Sequence, residues 1–325
     1  MSRVRRPEYL KRLKYLLPGL AVSLFVSCVS RQAKSINEAG DDAVCDGLRD
    51  TLEAVVSGVP GEVGIAVIVD SRDTVVVNNS DGYPLMSVFK LHQAIALCAD
   101  FDRRGIPLDT VVRIDRSSLD PDTWSPMLKE NAGASFDMPV RELMRYTLAL
   151  SDNNASNLMF DRFVSVAATD SFVARLIPRE GFRLAVSEAD MRRDHSLCYS
   201  NHSSPLSTAL LFERLFADSI LAPESQAFIR DALGGCATGV DRLTAPLAAK
   251  EGVAVAHKTG SGYRNGRGEL AAHNDAAYVG LPDGRHYTIV VLVKDFAGDE
   301  REASAIISRV SELAYDFIAG CWKAD

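Results

Sequence analysis

No two cysteines of this chain stand two residues apart, and none of its six histidines falls into an H-E-x-x-H or H-x-H pattern. That spacing excludes the familiar zinc sites, and no metal is expected. Cys45, Cys98, Cys198, Cys236 and Cys321 are too scattered to suggest a disulfide framework, and an odd number leaves at least one thiol free. Internal repeats and low-complexity tracts are missing too, which sets aside solenoids and arrays. No apolar run reaches the roughly 20 residues of a membrane span. Nor is there a stripe of Lys and Arg: the formal charge is −7, and an acidic chain without a basic face argues against a nucleic-acid partner. What is present is a globular composition, 47% hydrophobic and 24% charged over 325 residues, enough for one large or two interlocked domains with a cleft.

Residues 1–28 differ from the rest. Arg3, Arg5, Arg6, Lys11, Arg12 and Lys14 precede an apolar run from Tyr15 to Val26, the pattern of an export signal. The run closes in FVSC (Phe25 to Cys28), which resembles the lipobox of bacterial lipoproteins and implies a lipid anchor at Cys28. Removing residues 1–27 takes Lys and Arg from 36 to 30 and Asp and Glu from 43 to 42, so the mature charge is about −12. Residues 29–40 are polar and pattern-free, as a tether would be. The expected location is therefore outside the inner membrane, in the periplasm, as a lipid-anchored monomer.

From Asp41 the spacing Val44, Leu48, Leu52, Val55 predicts a helix, ended by Gly58 and Pro60. GIAVIVD (Gly64 to Asp70) and TVVVN (Thr74 to Asn78) predict a hairpin. Near the other end, VAVAH (Val253 to His257), HNDAAYVG (His273 to Gly280) and YTIVVLV (Tyr287 to Val293) predict three more strands, and Ala303, Ile306, Ile307, Val310, Leu313, Ala314 and Phe317 mark a closing helix. The middle reads almost wholly as helices and loops. The fold expected is α+β: a five-stranded antiparallel sheet built from 41–86 and 240–325, flanked by terminal helices, with an all-helical domain at 87–239 inserted and a cleft between them.

Into that cleft three short motifs would project. SVFK (Ser87 to Lys90) sets a hydroxyl and an amine three apart, on one helix face. A serine becomes a nucleophile when a neighbouring base takes its proton, and a desolvated lysine can be that base. S-x-x-K alone arises about once by chance in a chain this long. SDN (Ser151 to Asn153) and KTG (Lys258 to Gly260) follow in order, each expected about a tenth of a time or less. Alone, S-D-N reads as a turn or helix cap, with Asp152 in the structural role, and K-T-G as a strand end.

Together the three motifs resemble those of the class A β-lactamases among the penicillin-recognising serine enzymes. SDNNASNLMF (Ser151 to Phe160), VAVAHKTGSGY (Val253 to Tyr263) and VKDF (Val293 to Phe296) are similar to the CfxA-like cephalosporinase branch, and the likeness runs from Asp41 to Phe317. The resemblance implies a β-lactamase/transpeptidase-like fold, no cofactor, and a small-molecule β-lactam, in particular a cephalosporin, as substrate. It also implies that Ser87 is acylated and that Ser151, tuned by Lys90 and Lys258, protonates the leaving nitrogen. Backbone N–H groups of Ser87 and Ser261 would hold the oxyanion; Asn153 would hold the acylamino side chain, and Lys258, Thr259 and Ser261 the carboxylate. Arg242, in GVDRL, resembles the branch's alternative carboxylate arginine, since none stands at Asp275 to Val279; the other reading is a solvated arginine. Trp124, in PDTWSP, matches an aromatic at the cleft mouth, or else is buried.

Deacylation requires a base for water. The resemblance places it on an omega loop at about 183–205, where SEADMR (Ser187 to Arg192) offers Glu188. The loop departs from the usual R-W-E-P-E-L-N. Val186 and Ser187 remove the usual salt bridge, Ala189 makes a trans bond after Glu188 the expectation, and Arg192 stands where an asparagine normally shares the water. Glu180 and Glu213 are rival acids, both expected to be solvated. Two other functions share the three motifs: a D-alanyl-D-alanine peptidase, and a β-lactam sensor that stays acylated. Glu188 speaks against both, and Arg192 keeps them in view.

Overall fold

In the computed structural model, residues 35–321 are described; the basic segment, the apolar run and Cys28 lie outside them. Helix α1 (Ser35–Val56) starts inside the stretch expected to be a tether, because no proline interrupts the chain ahead of the Leu48 and Leu52 stripe. Then come β1 (Glu62–Val69) and β2 (Asp73–Val77), the hairpin expected from their β-branched runs. Near the C-terminus are β8 (Ala254–Ser261), β9 (Leu270–Gly280), β10 (His286–Phe296) and α10 (Glu300–Cys321). The five strands form one antiparallel sheet in the order β2-β1-β10-β9-β8, so the first strand pairs with the last, Glu62 opposite Lys294.

Between β2 and β8 lie helices α2 (Phe89–Arg104), α3 (Pro126–Glu130), α4 (Val140–Ala149), α5 (Asn153–Arg162), α6 (Val166–Val173), α7 (Glu188–Arg193), α8 (Pro205–Ala217) and α9 (Pro223–Gly234). This middle is not purely helical. It also holds β4 (Val111–Asp115) paired with β5 (Ser135–Pro139), and β3 (Tyr83–Pro84), β6 (Phe182–Arg183) and β7 (His202–Ser203), which pair with one another. β3, β6 and β7, two residues each, are too short to show an alternating pattern.

Two apolar clusters lie on opposite faces of the sheet, as period-two alternation in β1 and β10 requires. Ile65, Val67, Ile289, Val291 and Val293 meet Leu48 and Leu52 of α1 and Ile307, Val310 and Ala314 of α10. Ala66, Val290 and Leu292 face the helical middle, where α2 is central: Leu91, Ile95, Leu97, Cys98 and Phe101 are all buried. Each large side chain buried there contributes about 1.5–3 kcal/mol. Gly105 ends α2 in the left-handed conformation, φ 64°, which a glycine adopts without strain. A helix gripped along its length holds its first turn still, and that turn carries the serine and lysine.

Candidate active site

Ser87 sits in a 3₁₀ turn (Met86–Val88) immediately ahead of α2, so serine and lysine belong to one continuous helical entry. Met86, just before it, has φ 45°, a strained backbone for a side-chain-bearing residue and a common companion of reactive sites. Lys90 is fully buried, and its Nζ donates to Ser87 Oγ at 2.9 Å, to the Ser151 carbonyl at 2.8 Å and to Asn153 Oδ1 at 2.6 Å. It also pairs with Glu188 Oε1 at 2.9 Å. Ser87 Oγ in turn donates to Glu188 Oε1 at 2.9 Å. An amine and a carboxylate thus flank one hydroxyl at equal distance.

The S-D-N segment turns sharply, with Ser151 at φ 57°. Asp152 has the structural role its residue type suggested: it caps α5 by accepting from Ala155 N, and it accepts from Ser125 Oγ and Met127 N. Burial raises its pKa, against the pull of those donors and of Lys90. The turn brings Ser151 Oγ to 3.0 Å from Lys258 Nζ and 3.5 Å from Lys90 Nζ. Lys258 is fully buried, also donates to the Thr259 carbonyl, and is lowered to about 8, chiefly by burial and further by Lys90.

K-T-G occupies the buried C-terminal part of edge strand β8. Its glycine has a packing reason: a Cβ on Gly260 would lie 2.5 Å from the Leu85 carbonyl and 3.3 Å from Ser87 N, so the strand abuts the serine's own backbone. Arg242 is not a solvated arginine. It is 6% exposed, and its guanidinium donates to Ser261 Oγ at 2.6 Å and to the Asn274 carbonyl at 2.7 Å. Trp124 is 54% exposed rather than buried, held by its Nε1 donating to the Leu150 carbonyl at 2.8 Å.

Glu188 opens α7, and Ser187 and Asp190 cap it with a reciprocal capping box. With the usual salt bridge missing, asparagines hold the loop. Asn201 accepts from Ala185 N and Val186 N and donates to the Val186 carbonyl, and Asn157 accepts from Ala189 N. No cis peptide occurs among the described residues, which includes the bond after Glu188. Arg192 reaches toward Asp120, 3.6 Å away. Of the rival acids, Glu180 is exposed, but Glu213 is buried at 7%, contrary to expectation, because Thr288 and Ser71 donate to its two oxygens. It lies away from Ser87 and has no contact with it.

Sequence reasoning missed Asn274, whose Nδ2 donates to the Pro84 and Leu85 carbonyls and so ties β9 to the segment carrying Ser87. It also missed Asp275, which accepts from His257 Nδ1 at 3.0 Å. The signal was available: an Asn-Asp pair inside an apolar strand is disfavoured unless both side chains have partners.

A buried lysine and glutamate on one serine hydroxyl, a second serine between two lysines, and a cationic strand edge beside them define a serine acyl-transfer hydrolase. The chain belongs to the beta-lactamase enzyme family, whose profile matches residues 47–318, and within it to class A. A beta-lactamase of Phocaeicola vulgatus is 52% identical over 91% of this chain and 93% of its own. The extended-spectrum beta-lactamase PER-1 of Pseudomonas aeruginosa is 34% identical over 83% and 87%. The crystal structure of a class A beta-lactamase from Bacteroides cellulosilyticus superposes with a TM-score of 0.79 at 27% identity, covering 85% of this chain and 98% of that one.

Proposed function

We propose that this protein hydrolyses β-lactams, with cephalosporins preferred, as an exported, periplasmic, lipid-anchored monomer that confers resistance. The observation that carries the catalytic reading is Ser87 Oγ held at 2.9 Å by both Lys90 Nζ and Glu188 Oε1. In acylation Ser87 loses its proton to one of these two and attacks the lactam carbonyl carbon, and the N–H groups of Ser87 and Ser261 receive the oxyanion. The C–N bond breaks as Ser151 delivers a proton to the nitrogen, replenished through Lys258 or Lys90. Lys258, Thr259, Ser261 and Arg242 hold the substrate carboxylate, Asn153 the acylamino group, and Trp124 flanks the entrance. Glu188 then takes a proton from water, the hydroxide attacks the acyl carbon, and Ser87 leaves reprotonated. The cephalosporin preference rests on resemblance in the Ser151, Lys258 and Val293 segments; export and anchoring rest on the sequence of residues 1–28.

Mass spectrometry of residues 29–325 mixed with a cephalosporin tests the reading. Wild type should turn over with a short-lived adduct, and Glu188→Gln, deprived of its base, should keep the adduct on Ser87 with deacylation slowed about 10²–10⁴-fold. A wild-type adduct lasting hours would point to a sensor or peptidase instead. Normal turnover by Glu188→Gln would assign the base elsewhere.

A further inference from the structure

Between the omega loop and the sheet lies a cavity of about 430 Å³, with Cys198 and Tyr199 on the loop side and Asn265 and Asp295 on the other. An open cavity offers no continuous packing, so the loop is held against the sheet by the groups that cross it. His195 crosses by stacking on Tyr263, the ring centroids 3.6 Å apart and the planes within 6° of parallel. Tyr199 crosses by donating its hydroxyl to Asp295 Oδ1, which also accepts from Asn265 Nδ2 at 3.1 Å. Burial, and after it the hydrogen bond to Asp295, raises Tyr199 to about 12, so the phenol keeps the proton it donates. Asp295 reaches this position through a break in β10. Val291 and Val293 face the terminal helices, and plain alternation would send Asp295 the same way. Its φ is 49° instead, and the pairing with β9 passes from Lys294 opposite Ala272 to Phe296 opposite Leu270. Alternation is thereby reversed: Phe296 joins the terminal-helix face, and Asp295 turns to the omega loop. Aspartate accepts the left-handed conformation more readily than most residues, but not without strain. The proposed hydrolysis gives this strained carboxylate of VKDF no part.

We propose that Tyr199 and Asp295 are positioning residues for deacylation, and that the tie between them holds the omega loop where Glu188 can serve the acyl-enzyme. The connection from tie to base is short and stiff. Tyr199 belongs to the 3₁₀ helix His195–Ser200, which follows α7 directly. Asp194 joins the two, ending α7 with its N–H on the Asp190 carbonyl and capping the next helix by accepting from Ser196 N. A shift of Tyr199 is therefore passed to the helix that carries Glu188. The stack of His195 on Tyr263 lies close to the same carboxylate: burial raises the Tyr263 phenol, and Glu188 raises it further. Acylation draws on groups anchored elsewhere. Ser87 and Lys90 sit on α2 and its entry, Ser151 on the turn before α5, and Lys258 on β8. Loosening the tie should thus slow release of the acyl group more than its formation. The rate effect rests on the proposed hydrolysis; the tie itself does not.

The test compares wild type with Tyr199→Phe, Asp295→Asn, Asp295→Ala and the double variant Tyr199→Phe/Asp295→Ala. Formation and decay of the Ser87 adduct of a cephalosporin are followed by mass spectrometry. Tyr199→Phe should deacylate about tenfold more slowly, the weight of one hydrogen bond, with acylation changed less than about threefold. Asp295→Asn, which keeps an acceptor oxygen and tolerates the left-handed backbone, should stay within about threefold of wild type. Asp295→Ala should lose at least as much as Tyr199→Phe. Combining the two should cost no more than about twofold further, because both remove one interaction. Hydrogen exchange reads the tie without turnover: amides of residues 183–200 should exchange faster in Tyr199→Phe, and those of α2 should not. Wild-type deacylation in Tyr199→Phe, equal losses in acylation and deacylation, additive losses in the double variant, or unchanged exchange in the loop would each overturn the proposal. An adduct that persists on wild type defeats the hydrolysis instead, and loop exchange alone then decides the tie.

Discussion

Lys258 carries a charge that the fold would be more stable without. Burial lowers it from 10.5 to about 8. Between those pH values the unfolded chain holds a proton that the folded chain has released, so this group makes stability rise with pH across that window. Below pH 8 the lysine is charged in both states and the full cost, about 3 kcal/mol, weighs on the native state. Lys258→Met removes that cost but also two hydrogen bonds, to Ser151 Oγ and to the Thr259 carbonyl. Leaving that carbonyl short of a donor costs about 1–2 kcal/mol. The net expectation is a variant about 1–2 kcal/mol more stable than wild type at pH 7, with the advantage gone by pH 10.5, and without substrate capture. Urea unfolding of both proteins across this range provides the measurement. Taking the difference cancels other titrations, His257 among them, to first order. A variant less stable than wild type at pH 7 by more than about 2 kcal/mol, or a difference independent of pH, would refute the reasoning. In wild type the KM for carboxylated substrates should climb as pH passes about 8.

Two further outcomes follow from buried basic residues. Arg242→Ala removes a charged donor from beside Ser261, and KM for a carboxylated β-lactam should rise about 10–100-fold; an unchanged KM would take Arg242 out of the substrate site. His92 is fully buried beside Phe182, and burial lowers its imidazole from 6.5 to about 4, so protons taken up by the unfolded chain alone cost the native state stability as pH falls through that range. His92→Phe should shift the acid-unfolding midpoint, followed by circular dichroism, to lower pH, and coincident midpoints would clear His92 of that role.

Among the five long strands, β1, β2 and β10 were legible as β-branched runs, β8 from the alternation in VAVAH and β9 from the LPDG turn that joins it to β10, and the terminal helices because their apolar stripes keep a helical period. The same test fails for β3, β6 and β7, two residues each, whose existence depends on which backbones tertiary packing brings together. At the site, the three motifs picked out Ser87, Lys90, Ser151, Asn153 and Lys258, the family resemblance added Glu188, and the structure brings these six together. Spacing could not reveal that Glu213 is buried, since its partners Ser71 and Thr288 are 142 and 75 residues away. Nor could it show what closes the omega loop: Asn201 acts through backbone groups, which leave no mark on the sequence.

The pairing of the first strand with the last sets the order of events in time. Lys294 closes on Glu62 across 232 residues, and β9 and β8 cannot join β1 until β10 exists between them. Such distant pairings are slow to form, because a long loop must close before any contact repays it. A nascent chain at the end of α9 therefore already contains Ser87, Lys90, Ser151 and Glu188, but has no sheet on which to mount them. The chain stays open for nearly its whole synthesis. That delay leaves any chain cut short of β10 without the strand that joins β1 to β9.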